Sequence, residues 1–144
     1  MPYSTLADIQ KKISNAELIQ LTDDVQAGSI DQDVVDAAIA EADDLIDSYA
    51  GKVKKVPMSP VPGIVAALSA TIAVYKLYAR RAVVDEFRES EFTSAVKLLQ
   101  DIGAGRATLG EEDADVAGDT ARDVPQSSTG GTDPNFNDNK LGRF

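Results

Sequence analysis

Cysteine, histidine and tryptophan are all missing from this chain of 144 residues. Without cysteine there is no disulfide and no thiolate nucleophile. Without histidine there is no imidazole base, and the usual zinc and copper ligands are gone as well. Aromatic residues make up only 6% of the chain, so a core has to be built from Ala, Val, Leu and Ile with a few Tyr and Phe. Long apolar runs are also scarce. The longest, Pro60–Tyr75, contains Ser69 and Thr71 and is ended by Lys76, which leaves it short of the ~20 residues that a membrane span needs. Asp8 and its polar neighbours interrupt the start, so no secretory pattern is read there. The expectation is a soluble protein that does not engage a membrane.

Positive charge is in short supply, with 14 Lys and Arg against 24 Asp and Glu and a net charge of −10. The imbalance is uneven. Residues 1–50 carry a net −9, residues 51–110 a net +4 and residues 111–144 a net −5. Tight wrapping of DNA needs cations that displace counterions, and the acidic front and tail argue against it. Opposite charge on neighbouring segments suits packing of copies, acidic face to basic face, or serves solubility alone.

What is present reads as helix. Thr5 caps a first helix, with Leu6, Ile9 and Ile13 at helical spacing. Ser14 and Glu17 form a capping box that restarts a short second helix carrying Leu18, Ile19 and Leu21 and stopping near Thr22. After a loop closed by Gly28, Asp31 caps a long helix reaching Ala50. Its apolar stripe is Val35, Ala38, Ala42, Leu45 and Tyr49, widened by Val34, Ile39 and Ile46. Lys52–Pro62 contains Pro57, Pro60 and Pro62, which predict an extended, partly buried connection, not a central strand. A fourth helix opens at Pro62 or Gly63 and reaches Arg80–Arg81, with Ile64, Val65, Leu68, Ile72, Tyr75 and Tyr78 on one face. A fifth covers about Asp85–Ile102, with Phe92, Ala95, Val96, Leu99 and Ile102 as its stripe, Phe87 and Leu98 on the flanks, and Gly103 and Gly105 ending it. The predicted fold is all-α, a compact bundle of four to five helices over residues 1–110. Residues 111–144 are expected to be a long, irregular, acidic tail that orders only on a partner, because it has too few large apolar residues to offset its ordering entropy.

No catalytic constellation stands out, and the expectation is a protein that is not an enzyme and carries no cofactor and no metal. The loop from Asp23 has an EF-hand outline, with an acid first, Gly28 sixth and Ile30 eighth. Val25, Ala27 and Val34 occupy ligand positions, however, so a tight turn is the better reading. The paired acids Asp23/Asp24, Asp43/Asp44 and Glu111/Glu112 fall on solvent faces or in the tail, away from the unlike environments that acid–base chemistry requires. Arg80 and Arg81 either contact phosphate or a partner's acids, or compensate the helix dipole and pair with Asp85 or Glu86, and Lys52, Lys54 and Lys55 form the basic edge of the connection. In the tail, Phe136, Leu141 and Phe144 return after a polar tether, with Arg143 among them, and predict a partner-binding anchor.

Taken in order, several stretches resemble a Mu-like phage and prophage family whose members look like head–tail adaptors. They are Tyr3–Asp8, Glu17–Asp23, Ala38–Tyr49, Val56–Pro62, Tyr75–Arg81 and Leu98–Gly105. The resemblance covers about residues 1–110, with a weaker echo at Phe136–Phe144. It implies an all-α core and a homo-oligomeric ring of about twelve copies, a dodecamer. The implied partners are the portal protein above, neighbouring copies alongside, and the next neck or tail-completion protein below, with Arg80, Arg81, Lys54 and Lys55 as candidate subunit or portal contacts. The implied location is the virion neck, after assembly in the host cytoplasm, with DNA passing through unbound. In that setting Asp36, Asp43 and Asp47 of the long helix are candidate channel-lining acids, since a negative wall repels phosphate. The alternative is a cytoplasmic helical protein-interaction or regulatory module.

Overall fold

The computed structural model describes residues 1–110, in which the chain forms five α-helices and no strand. These are α1 (Leu6–Gln10), α2 (Asn15–Thr22), α3 (Gln32–Ala50), α4 (Gly63–Arg80) and α5 (Glu86–Gly103). The all-α bundle expected from the sequence is the fold observed, and α4 is its centre, packed against each of the other four helices.

Local chemistry explains the boundaries. The Asp8 carboxylate accepts from the Thr5 N–H at 3.0 Å and from its hydroxyl at 2.8 Å, which closes the start of α1. At α2 the Ser14 hydroxyl accepts from the Glu17 N–H at 3.2 Å, while Glu17 reaches back to the Ser14 N–H at 2.9 Å. Asp31 accepts from the N–H groups of Asp33 and Val34, and Asp85 from that of Arg88. Each satisfies donors that the first helical turn leaves without a partner.

Two helices end in the same way. After α5, Gly105 takes φ 71°, its N–H donates to the Ile102 carbonyl, and Arg106 N–H donates to Asp101. This is a Schellman closure, with glycine at the left-handed position. After α4 the same pair of bonds joins Ala82 to Ala79 and Val83 to Tyr78, but the left-handed residue is Ala82, at φ 56°. No glycine marks that end in the sequence.

The core runs through all five helices, with Ile9, Leu18, Val35, Ile46, Ile72, Leu77, Leu99 and Ile102 fully enclosed. Two predicted stripes are rotated. On α3 the buried line is Val35, Ala38, Ile39, Ala42, Ile46 and Ala50, while Leu45 and Tyr49 are half-buried. On α4, Val74 and Leu77 are buried, whereas Ile64 is 36% exposed and Tyr75 and Tyr78 are only partly covered. The cause is the same in both. A helix with neighbours on several sides buries more than one stripe, and small residues such as Ala70 and Ala73 turn inward where the helices approach closely. One close approach lies at Gly103, where an added Cβ would sit 2.8 Å from the Tyr49 carbonyl oxygen of α3.

The Pro-rich connection contains cis bonds at Val56–Pro57 and Ser59–Pro60. Met58 between them is buried, and Val56 and Val61 pack at its edge, as a partly buried connection requires.

Candidate interaction surfaces

Positions 36, 43 and 47 lie seven and four residues apart, which aligns Asp36, Asp43 and Asp47 on one side of α3. Only Asp36 faces solvent, where Gln32 donates to it at 2.8 Å. The N-terminal segment covers the other two. Asp43 accepts from the Tyr3 N–H at 2.8 Å and from the Ser69 hydroxyl of α4 at 2.6 Å. Since Ser69 donates its one hydrogen there, Ser4 must be the donor in the 2.7 Å contact between the two serines. The Tyr3 hydroxyl donates to Asp47 and accepts from the Met58 N–H at 2.9 Å. Burial pushes the Asp43 carboxyl above its ordinary range, against the pull of these hydrogen bonds. The Tyr3 phenol is pushed up to about 12, chiefly by burial and then by its bond to Asp47. Asp43 and Asp47 therefore fasten the N-terminal segment and the connection to α3 and α4, and the sequence gives no sign of this because the partners lie 26 to 55 residues apart.

Arg80 and Arg81 reach across the surface to the end of α2. Both guanidinium groups pair with Asp24, and both donate to the Leu21 carbonyl at the end of α2, at 3.2 and 3.1 Å. Arg81 adds a bond to the Asp23 carbonyl. The predicted pairing with Asp85 or Glu86 is replaced by one with Asp24, because the C-terminal end of α4 lies beside that of α2. Two cations there satisfy carbonyls that a helix end leaves open. The hydrogen bond from Arg80 holds the Asp24 carboxyl below its usual range.

The loop after α2 is organised as a turn. The two Asp23 oxygens accept from the N–H groups of Ala27 at 2.9 Å and Gly28 at 2.6 Å, and Gly28 takes φ 73°. Among the described residues no cluster of three or more acids is arranged to hold a metal, and no helix is long and apolar enough to cross a membrane.

The outward surface has three parts. On α3 the exposed acids are Asp33, Asp36, Glu41 and Asp44, with Glu41 lying 3.4 Å from Lys76. Lys52 and Lys55 are exposed on the connection, and Lys54 is half-buried. Around the α4–α5 turn, Val83 and Phe87 are 55% and 63% exposed. The Arg88 guanidinium sits 5.5 Å from the Phe87 ring centre and 5.1 Å from that of Tyr78. Phe87 borders a shallow groove of about 360 Å³ between α4 and α5, floored by Leu68, Ala95 and Leu98. The sequence reading put Phe87 on the flank of its helix; its exposure follows from that offset. The tail anchor residues Phe136, Leu141, Arg143 and Phe144 lie outside the described residues, as does the whole of 111–144.

The family model described as Bacteriophage Mu, Gp36 matches residues 3–126. A curated relative, the Mu-like prophage FluMu protein gp36 of Haemophilus influenzae, is 27% identical over 128 residues, which is 89% of this chain and 89% of the relative.

Proposed function

The chain belongs to the bacteriophage Mu Gp36 family, and from that premise we propose that it is a structural head–tail adaptor of the virion. In this reading copies associate side by side into a ring beneath the portal, a dodecamer in the simplest form. The ring continues the DNA channel and joins the capsid to the next neck or tail-completion protein. The role is architectural, with no reaction catalysed.

The observation that supports this best is the separation of charge on a closed helical core. Exposed acids lie along α3, and exposed Lys52 and Lys55 follow on the connection that leaves it. A molecule with an acidic side and a basic edge can meet copies of itself head to tail, and such a contact closes into a ring if the rotation allows. The outward acids also suit a channel wall, which would repel phosphate. Because Asp43 and Asp47 are engaged with Tyr3 and Ser69, the lining role rests on Asp36 and its exposed neighbours.

Virions of the phage that encodes this chain provide the test. Tagged protein should co-purify with full particles and be imaged as a ring at the portal vertex. Absence from purified particles, with the protein remaining in the host lysate, would refute the adaptor and favour a cytoplasmic interaction module.

A further inference from the structure

The groove between α4 and α5 has an apolar floor and a border of Thr71, Ser90, Ser94, Phe87 and one acid, Glu91. Phe87 at its edge is 63% exposed, whereas Phe92 lies stacked on Tyr75 with ring centres 4.0 Å apart. Residues 85–91, the cap and first turns of α5, hold four acids, Asp85, Glu86, Glu89 and Glu91, and one base, Arg88, which pairs with Glu91 at 3.2 Å. A large exposed aromatic ring on a helix start that is net acidic suits a ligand that is apolar and cationic at once.

The chain carries such a segment. Residues 136–144 hold Phe136, Leu141 and Phe144 together with Lys140 and Arg143, against one acid, Asp138. The 25 residues before them, 111–135, hold seven acids and one base, so the charge reverses where the apolar residues return. A tether of that length has a typical reach of about 25–30 Å if it behaves as a coil, enough to pass from one molecule to the next.

We propose that the α4–α5 groove is the receptor for residues 136–144 of a neighbouring copy. The apolar side chains cover Phe87, Leu68 and Leu98, and Lys140 and Arg143 meet Glu91 and the net negative charge of the α5 start. The inference deepens the adaptor reading, since a second copy is the donor, but it is tested in solution without particles.

The test uses the full chain with Phe136→Ser, Leu141→Ser and Phe144→Ser, labelled with fluorophenylalanine. The chain has four phenylalanines, so only Phe87 and Phe92 remain to report. A synthetic peptide of residues 136–144 should move the Phe87 resonance saturably and leave Phe92 in place. The same peptide with Lys140→Glu and Arg143→Glu should bind at least about tenfold more weakly. A stationary Phe87 line at millimolar peptide, equal movement of both lines, or equal binding of the charge-reversed peptide would overturn the proposal. Failure here with the chain present in particles removes the docking and leaves the adaptor standing; binding here with the chain absent from particles does the reverse.

Discussion

Ser69, in the middle of α4, donates its hydroxyl to Asp43 of α3 at 2.6 Å while accepting from Ser4. Both serines are buried, so neither can turn to water instead. Ser69→Ala leaves Asp43 with one donor fewer and Ser4 without its acceptor, and should cost about 1–3 kcal/mol in urea unfolding. A loss under about 0.3 kcal/mol would mean that the network is not a structural tie.

The charge on Asp43 opposes folding. Its folded pKa is raised, so its contribution is fully present below the unfolded value of 3.8 and is lost as pH rises through the folded pKa. Asp43→Asn does not titrate. Its stability relative to the parent should therefore improve as pH rises from below 3.8 through the raised folded pKa, whatever the offset from the altered hydrogen bond. A constant difference across that window would contradict the assignment.

Glu17 works with the opposite sign. Hydrogen bonds from the Ser14 N–H, the Ser14 hydroxyl and the Tyr78 hydroxyl hold its carboxyl below its ordinary 4.5. Its contribution is present above that value and is lost as pH falls through the folded pKa. The stability gap between the parent and Glu17→Gln should thus shrink on acidification below about pH 4.5.

Ala82 occupies a position that favours glycine. Ala82→Gly should stabilise the protein by about 0.5–1 kcal/mol, because it relieves the left-handed backbone at the end of α4. Gly105→Ala, the mirror experiment at the end of α5, should lose a similar amount. Thermal melts of the two variants should move in opposite directions.

Gly103 is required for a different reason, its contact with the Tyr49 carbonyl. Gly103→Ala should destabilise by about 1–3 kcal/mol, since backbone on both sides must move apart. An unchanged melting temperature would show that α3 and α5 have slack at this crossing.

These residues show what could be read from the sequence. The caps Thr5, Ser14 with Glu17, Asp31 and Gly105 act within a few residues of themselves, so their positions in the sequence locate the helix ends. Ala82 gave no such signal, because alanine in a left-handed turn is held there by the Tyr78 and Ala79 carbonyls and not by its own preference. The acids of α3 were identifiable as a row, but which of them faces solvent depends on Tyr3 and Ser69, which only the folded chain brings near. Arg80 and Arg81 posed the same problem, since Asp24 lies 56 residues before Arg80.

With only eight residues, α2 is too short to persist in water by itself. Its first turn is bonded to Tyr78 through Glu17, and its Leu21 carbonyl is held by both Arg80 and Arg81. All three partners sit in the final turn of α4 or just beyond it. A helix tethered to one neighbour at both ends cannot fray independently of it, so the backbone amides of α2 should exchange with deuterium in step with that last turn of α4, as a single cooperative unit.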